Sequence, residues 1–280
     1  MELNTTRPSV SVTDVVNYMD CRRRGVLRLT NIGREAMDLS DQPVSATKVC
    51  GILAHSYAEN RFANRGHGYE LDYDENNVIV EHKSLMERQI RFNSRLPDTH
   101  TLVDVARKIG KAVVQWLHKF EENLNGWEPV ACEKDISHET LRGRPDFIIV
   151  GLSRTYIFDL KVSARKADAD SVKRHVHQMA GYHFLGQQFA DSVDCSILSV
   201  STKDPEWVRL FSLKPLQKRI GFELSCEELL KAKHDILLNK TYHHLREPAN
   251  VNSIYCNRSS CPFYGDGLLC PETADNIEEA

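Results

Sequence analysis

The sequence lacks a long hydrophobic run, an export signal and a large excess of charge of either sign. Its longest apolar stretch, residues 147–152, is far shorter than the roughly 20 residues that cross a bilayer. The first ten residues contain no basic segment followed by an apolar one. These absences exclude an integral membrane protein and predict a cytoplasmic one, nucleoid-associated or in the host cytoplasm if viral.

The charge balance by itself does not indicate a nucleic-acid binder. Lys and Arg total 36 and Asp and Glu total 39, which gives a net charge of −3. Four of the acids lie in the last ten residues, so the rest of the chain is close to neutral. Local basic clusters occur at 22–24, 88–95 and 165–174, and clusters of this kind are more often solvated faces than phosphate contacts.

The cysteines are unevenly distributed. Eight cysteines without an export signal argue against a disulfide framework. Three of them, Cys256, Cys261 and Cys270, lie in a C-terminal segment rich in Gly, Asn, Ser and Pro, and thiolates at such spacing bind zinc or an iron–sulfur cluster. Four others stand among apolar neighbours and are expected to be small buried residues: Cys50, Cys132, Cys195 and Cys226.

Hydrophobic periodicity predicts a mostly helical first half and a sheet-containing second half. Helices are predicted over 11–29, 46–64, 83–95, 101–124, 167–190 and 214–242, and strands over 128–137, 146–150, 155–162, 194–201 and 206–212. Loops are predicted at 40–45 and 66–77, and residues 250–280 are expected to be irregular. The order of elements predicts an α/β fold with a central mixed β-sheet flanked by helices.

The chain is expected to form one domain over 1–280. A helical portion would occupy 1–125, the core sheet 126–212, and a C-terminal helix with a Cys-rich tail 213–280. One α/β domain with additions is the default for a chain of 280 residues.

The segment GRPDFIIVGLSRTYIFDLKVS, residues 143–163, predicts a β-hairpin. Asp159 and Lys161 are two apart on its second strand, so their side chains share one face. If the hairpin folds symmetrically about Leu152 and Ser153, Asp146 lies opposite Asp159 with Cβ atoms roughly 5 Å apart. The other face of the second strand is apolar: Phe158, Leu160 and Val162.

Two carboxylates this close repel each other unless one is protonated or a cation lies between them. Hard oxygen ligands at this density suit Mg²⁺ or Mn²⁺. Lys161 would lie beside the ion, where it could orient an attacking water or stabilise charge that develops on a phosphate. The alternative interpretation is a surface strand that carries an ordinary Asp–Lys pair.

These residues resemble the signature of the PD-(D/E)XK nuclease superfamily, with Gly143-Arg144-Pro145-Asp146 followed by Asp159-Leu160-Lys161. Two further segments resemble its RecB-type branch. GILAHSYAE at 51–59 carries His55 and Glu59 on one helix face, and QMAGY at 178–182 carries Gln178 and Tyr182. The resemblance implies a restriction-endonuclease-like core with a helical N-terminal portion.

The resemblance also implies roles for individual residues. His55, Asp146, Asp159 and the Leu160 carbonyl would hold the metal ion, and Lys161 would position the nucleophile. Gln178 and Tyr182 would line the path of the DNA strand. Glu59 is a candidate supporting residue or salt-bridge partner, and Glu133 is a weaker candidate near the metal. Candidate contacts to the DNA backbone are Arg22, Arg23, Arg24, Lys173 and Arg174.

Cys21 supplies a fourth thiol for the C-terminal three. The pattern is similar to RecB-type nucleases such as AddB and the CRISPR-associated members, in which one cysteine before the core and three after it hold a [4Fe–4S] cluster. Here the tail spacing is C-x4-C-x8-C instead of the usual C-x2-C-x5-C, and Arg22 replaces a proline. Zinc, or no metal, remains an alternative at Cys21, Cys256, Cys261 and Cys270.

The resemblance implies metal-dependent hydrolysis of DNA, most simply as an exonuclease on single-stranded ends. The pathway could be recombination, repair, phage DNA processing or CRISPR adaptation, with a helicase, recombinase or adaptation protein as partner, because the sequence has no Walker motif of its own. A non-catalytic DNA-binding or accessory module, and a sequence-specific endonuclease, are the alternatives.

Overall fold

Two groups of residues, each assembled from separate stretches of sequence, make up the protein. The computed structural model describes residues 9–39, 45–63, 99–124, 127–132, 135–213, 218–237, 247–253, 256, 261–264 and 268–271. The first unit comprises Met1–Gln42, Ile136–Gly143 and Leu216–Ala280, and the second comprises Pro43–Asp135 and Arg144–Pro215. The single nuclease domain over 1–280 stays a prediction.

The described residues form helices first and then strands interleaved with helices. In chain order the elements are β1 (Val10–Ser11), α1 (Val12–Asp20), α2 (Arg22–Leu27), α3 (Asn31–Leu39), α4 (Ala46–Ala63), α5 (Thr99–Glu122), β2 (Trp127–Cys132), β3 (Ile136–His138), β4 (Leu141–Gly143), β5 (Phe147–Gly151), β6 (Arg154–Ser163), α6 (Ala169–Lys173), α7 (Val176–Gly186), β7 (Ser192–Ser201), β8 (Asp204–Leu213) and α8 (Arg219–Leu237).

A five-stranded mixed sheet organises the second unit. Its strand order is β2-β5-β6-β7-β8, in which β6 and β7 are parallel and the other neighbours are antiparallel. The predicted mixed sheet is therefore confirmed. Helices α4 and α5 belong to the same unit and match the predicted helices at 46–64 and 101–124.

The β5–β6 hairpin has the register predicted from its turn. Phe147 pairs with Phe158 and Ile148 with Ile157, so each pair of residue numbers sums to 305. Asp146 immediately precedes β5 and continues this register to the position opposite Asp159. Local alternation and a short turn were sufficient to predict this arrangement, because a slip of one residue would expose the whole apolar face.

The apolar face of β6 lies in the main core of the second unit. Phe158 and Leu160 are almost fully buried with apolar residues of α4 and α5. The ring of Phe158 contacts Trp116 edge-on at 5.5 Å and Phe120 at 5.1 Å between centroids. This packing holds β6 in place from one side, so that its other face can carry polar groups.

In the first unit, a single helix over 11–29 was predicted, and this prediction is wrong. Helix α1 begins at a capping box formed by Ser11 and Asp14, and it ends at Cys21, whose φ of −149° and ψ of 109° are extended. Helix α2 then starts anew and packs closely against α1. A Cβ at Gly25 would lie only 2.5 Å from the Cα of Tyr18, so this approach requires glycine.

Three further boundaries differ from the prediction. The predicted strand 128–137 is two strands, since β3 joins β1 and β4 in a separate sheet with order β1-β4-β3. The predicted helix 167–190 is divided into α6 and α7, and α6 begins at a capping box on Asp168. The predicted helix at 83–95 and the loop at 66–77 lie outside the described residues. None of the helices in the described parts of the chain is long and apolar enough to cross a bilayer.

Replacing Phe158 with Ala should strongly destabilise the second unit. The substitution removes a side chain that is 2% exposed and leaves a cavity beside two aromatic neighbours, so we expect a loss of about 3–5 kcal/mol in the free energy of unfolding. Urea unfolding followed by tryptophan fluorescence measures it, because Trp116 lies beside the cavity.

The matched control is Leu152→Ala in the turn of the same hairpin. Leu152 is 88% exposed, so its removal should change stability by no more than about 0.5 kcal/mol. Equal effects of the two substitutions would contradict the proposed packing.

Candidate active site

Asp146 is held at the start of β5 by contacts from two elements. Its Oδ2 accepts a hydrogen bond from the backbone N–H of Leu160 at 2.6 Å, and its Oδ1 lies 3.3 Å from Nδ1 of His55. Burial alone would raise the pKa of this carboxyl. His55, Lys161 and the Leu160 N–H outweigh that effect and hold the pKa below its usual range.

Asp159 is almost fully buried, with 1% of its surface exposed. Its Oδ2 pairs with Nζ of Lys161 at 2.5 Å, and its Oδ1 accepts a hydrogen bond from Nε2 of Gln178 at 3.1 Å. Burial raises the pKa of Asp159 to about 6, and the nearby charge of Asp146 adds to the shift while Lys161 opposes it. The two carboxylates thus shift in opposite directions, as expected for acids in one small site.

Lys161 faces the two carboxylates from the same strand as Asp159. Burial by itself lowers the pKa of its ammonium, but Asp159 and Asp146 outweigh burial and raise the pKa above its usual value. Lys161 therefore carries its charge at neutral pH. Together with His55 and Leu160 it lines a cleft of about 490 Å³ between α4 and β6.

His55 connects α4 to both strands of the hairpin. Its Nε2 lies 3.0 Å from the carbonyl oxygen of Leu160, while its Nδ1 faces Asp146. The predicted metal-binding group thus meets in one place: His55 from α4, Asp146 at the start of β5, and Asp159 and Leu160 from β6. Its members are separated by up to 105 residues in sequence.

Gln178 and Tyr182 form a short hydrogen-bonded chain on α7. Nε2 of Gln178 donates to Asp159 and also approaches the Tyr182 hydroxyl at 3.1 Å. That hydroxyl donates to the backbone carbonyl of Arg144 at 3.1 Å, and Tyr182 is only 4% exposed. The chain joins α7 to Asp159 and to the residues just before Asp146.

Other predicted residues have different surroundings. Glu59 forms an ion pair with Arg144 at 3.6 Å, which matches the salt-bridge interpretation. Glu133 lies outside the described residues. The prediction that Arg23 and Arg24 contact DNA is wrong, because both are buried in the first unit. Nε of Arg23 donates to the Glu247 carbonyl at 2.9 Å, and Arg24 pairs with Asp20 at 2.8 Å.

His175, which sequence reasoning missed, lies near Lys161 at the N-terminus of α7. Burial lowers the pKa of its imidazole to about 3, and the charges of Lys161 and Arg174 contribute to the same shift. The side chain is therefore neutral and adds no charge beside the lysine. No motif in the sequence indicates this position, since its environment arises only when α7 folds onto the sheet.

The four predicted cysteine ligands all belong to the first unit, and each is a cysteine outside any disulfide. The pKa of Cys256 is raised to about 11, first by burial and then by the nearby thiols of Cys261, Cys270 and Cys21. Cys261 and Cys270 lie in a small buried cluster with Leu27, Phe263 and Leu269. The structure therefore brings residue 21 close to the C-terminal segment.

Hydrogen bonds from Asn250 and Ser253 join the C-terminal segment to residues 20 and 21. The Asn250 N–H donates to Sγ of Cys21 at 3.5 Å, and the Asn250 side chain donates to the Asp20 carbonyl at 2.8 Å. The Ser253 hydroxyl donates to the Asp20 carboxylate at 2.8 Å. Across the described ranges, however, no three His, Cys, Asp or Glu side chains are already arranged to hold a metal ion by themselves.

The fold and the carboxylate–lysine site define an α/β protein with the architecture of a nuclease. The family model of the PD-(D/E)XK nuclease superfamily matches residues 9–263. The chain therefore belongs to the PD-(D/E)XK nuclease superfamily, and its core has the restriction-endonuclease-like fold. The motif residues that carried the resemblance, Asp146, Asp159 and Lys161, lie within the matched range.

One solved structure supports the fold, and a second shows a weaker similarity. A crystal structure from Eubacterium rectale, of a protein assigned as an exonuclease, has a TM-score of 0.54 and 14% sequence identity, and the match covers 86% of this chain and 89% of that one. An alkaline exonuclease from Laribacter hongkongensis has a TM-score of 0.31 and 11% identity, with 74% and 97% covered. No curated protein matches the sequence significantly.

Replacing Gln178 with Leu should destabilise the protein in a pH-dependent manner. The substitution leaves Oδ1 of buried Asp159 without its amide donor, at a cost of about 1–3 kcal/mol. Because the pKa of Asp159 is about 6, its carboxylate is charged at pH 8 and mostly protonated at pH 5. The amide stabilises the charged form, so the loss should be larger at pH 8.

Urea unfolding in EDTA at both pH values measures this difference. The control is Gln188→Leu, an exposed glutamine whose Nε2 donates to the Leu185 carbonyl near the end of α7. It should change stability by no more than about 0.5 kcal/mol at either pH. A penalty for Gln178→Leu that is the same at pH 5 and pH 8 would argue against its role at Asp159.

Proposed function

We propose that this protein is a metal-dependent deoxyribonuclease, an exonuclease that hydrolyses phosphodiester bonds at single-stranded DNA ends. The observation that carries the proposal is the pair of buried carboxylates, Asp146 and Asp159, on adjacent strands with the charged Lys161 beside them. Burial of two adjacent carboxylates destabilises the folded protein unless they bind a cation or share a proton.

The donor set fits a hard divalent cation. Asp146, Asp159, the Leu160 carbonyl and His55 offer oxygen and imidazole ligands of the kind that bind Mg²⁺ or Mn²⁺. Burial and the charge of Asp146 raise the pKa of Asp159, and a cation beside this carboxylate would stabilise its charged form. When bound, the ion supplies positive charge to the phosphate that is cleaved.

The surrounding residues act on the reactants by position and charge. Lys161 holds an ammonium at the mouth of the cleft, where it orients the attacking water and stabilises negative charge on the phosphate. The attacking water gives up a proton to solvent as its oxygen bonds to phosphorus and the bond to the 3′-oxygen breaks. The departing oxygen takes up a proton from solvent, which leaves a 3′-hydroxyl on one strand and a 5′-phosphate on the other. Gln178 and Tyr182 act as positioning residues, because their polar groups already hold Asp159 and the Arg144 carbonyl.

The preference for DNA ends rests on coarser grounds. The Eubacterium rectale neighbour is assigned as an exonuclease, and the segments with His55 and Gln178 resemble the RecB-type branch. Such an enzyme would work with a helicase, recombinase or CRISPR adaptation partner in recombination, repair, phage DNA processing or adaptation. The acids and the lysine are all present, which favours catalysis over an accessory module.

Replacing Asp159 or Lys161 with Ala should reduce DNA cleavage by about 100-fold or more, because each change removes a charge that acts on the reacting phosphate. Binding of DNA should change little. End-labelled linear DNA, incubated with Mg²⁺, Mn²⁺ or EDTA, reports cleavage and its polarity, and circular single strands distinguish exonuclease from endonuclease.

The controls are Asp194→Ala and Lys119→Ala in the same unit. Asp194 forms an exposed ion pair with Arg154, and Lys119 is exposed on α5, so neither change should affect cleavage. Cleavage that persists in Lys161→Ala, or in EDTA, would refute the proposed site. DNA binding without any cleavage by the wild-type protein would favour an accessory module.

We also propose that Cys21, Cys256, Cys261 and Cys270 hold a [4Fe–4S] cluster. Two observations support a ligand role. The thiols of Cys261, Cys270 and Cys21 lie close enough to Cys256 to add to the rise in its pKa that burial causes, and the N–H of Asn250 is directed at Cys21. Burial raises the pKa of both Cys256 and Cys261, and the nearby Arg24 guanidinium opposes this rise. A cluster here would close a very long loop. Closing a long loop removes the most conformational entropy from the unfolded chain.

Protein purified without oxygen should be brown, with broad absorbance at about 400 nm and close to four irons per chain. Cys256→Ser should lose the colour and the iron. Cys226→Ser, which alters a buried cysteine of α8 in the same unit, should keep both. If the protein is colourless and contains one zinc per chain, the site binds zinc and not a cluster. If the protein contains no metal, both the cluster and the zinc site are wrong.

A further inference from the structure

We propose that one face of β8 is a binding platform for single-stranded DNA, on which bases stack next to the catalytic cleft. The platform consists of four side chains in which cations and aromatic rings are interleaved: Lys166, Trp207, Arg209 and Phe211. The proposal rests on the proposed nuclease function and adds the residues that would recognise the strand.

The four side chains are in contact along the strand. Nζ of Lys166 lies 4.3 Å from the centre of the Trp207 ring, and the Arg209 guanidinium lies 5.2 Å from the same ring. The guanidinium also lies 5.1 Å from the Phe211 ring. These cation–π contacts hold the rings and the charges in one row, which reduces the entropy lost when a ligand binds.

The register of the sheet places this row on the catalytic face. Lys161 pairs with Ser199 on β7, and Ser199 pairs with Arg209 on β8. Paired residues of neighbouring strands point to the same side, so the side chains of Lys161 and Arg209 share a face. Two strand spacings separate them, or about 10 Å. By the same pairing, Asp159 is aligned with Ile197 and Phe211.

Part of this face is covered and part is open. Helix α7 lies over the start of the strands, where a Cβ at Gly186 would come within 2.8 Å of Ile157 and Val193. The row on β8 lies farther along, and Trp207 remains 48% exposed. Arg209 is fixed by a hydrogen bond from its Nη1 to the Ala167 carbonyl at 2.8 Å. An exposed tryptophan between two cations presents an aromatic face to solvent beside two positive charges.

The chemistry of the row matches a single strand of nucleic acid. Aromatic faces stack on unpaired bases, and neighbouring cations attract the phosphates between them. A duplex hides its base faces, so it could use only the charges. Acidic neighbours moderate the attraction: Lys166 also pairs with Asp204 at 2.8 Å, and Glu206 lies next to Trp207. Binding should therefore depend on stacking as well as on charge.

The test compares variants in their binding to a fluorescein-labelled oligothymidylate, by fluorescence anisotropy in EDTA so that no cleavage occurs. Trp207→Ala should weaken binding by about 10-fold, the loss expected for one stacked base. Trp207→Phe should largely restore it. Leu210→Ala removes an exposed side chain from the opposite face of β8, and it should leave binding unchanged.

Two further measurements separate stacking from charge. An abasic oligonucleotide of the same length should bind the wild-type protein more weakly, and Trp207→Ala should not weaken that binding further. Lys166→Gln should reduce the slope of log affinity against log salt by about 0.7, as expected for one phosphate contact to a single strand. Circular dichroism spectra of each variant verify that the fold is intact.

Several outcomes would overturn the platform. The first is that Trp207→Ala binds oligothymidylate as tightly as the wild-type protein does. The second is that the wild-type protein binds the abasic strand as tightly as oligothymidylate. The third is that Trp207→Ala weakens binding to a fully base-paired duplex as much as binding to oligothymidylate. If Trp207→Ala does not fold, two other variants test the platform. Trp207→Phe is compared on the abasic and the complete oligonucleotide, and Lys166→Gln is tested by its slope of log affinity against log salt.

The failure of the platform differs from the failure of the nuclease function. Wild-type protein that cleaves linear DNA, while Trp207→Ala binds normally, overturns the platform alone. Wild-type protein that binds oligothymidylate through Trp207 but does not cleave overturns the nuclease function alone.

Discussion

The burial of two carboxylates beside each other is the constraint on which the rest of the second unit depends. Asp146 and Asp159 lose their hydration when the β5–β6 hairpin packs, and their charges repel at short range. The protein compensates with a backbone N–H and an imidazole at one acid, and with an ammonium and an amide at the other. The resulting environments lower the pKa of Asp146 and raise the pKa of Asp159.

The supporting elements are consistent with this need for precise placement. The hairpin positions both acids by its register, and its apolar face packs among aromatic side chains of α5. Helix α4 places His55 against one backbone oxygen and one carboxylate oxygen. Helix α7 holds Asp159 through Gln178, which also contacts Tyr182. A polar site supported on regular elements keeps its geometry better than one built on loops.

The first unit has a different source of order. Its small sheet contains only short strands, and its contacts join segments that are more than 200 residues apart, such as Asp20 with Asn250 and Ser253. Buried Arg23 and Arg24 satisfy carbonyl and carboxylate groups at this junction. Contacts of this kind are entropically costly to form, which is why a metal clip at the four cysteines would be useful there.

Much of the β5–β6 hairpin could be predicted from the sequence, because its determinants are local. The alternation of polar and apolar residues and a two-residue turn specify which side chains share a face, and they correctly predicted the pairing of Phe147 with Phe158. Helix α4 and the position of His55 on it follow from periodicity in the same way. Whether these residues bind metal could be inferred only from the resemblance to a family.

Features that depend on distant segments could not be predicted. The break at Cys21 depends on the close packing of α2 against α1 at Gly25, and the burial of Arg23 depends on a carbonyl at Glu247. The roles of Gln178 and His175 likewise depend on where α7 lies on the sheet. The sequence by itself thus determined the hairpin, its register and the identity of the chemical groups. Only the tertiary structure decided their partners, their burial and their pKa shifts, because those depend on atoms that folding brings together from remote parts of the chain.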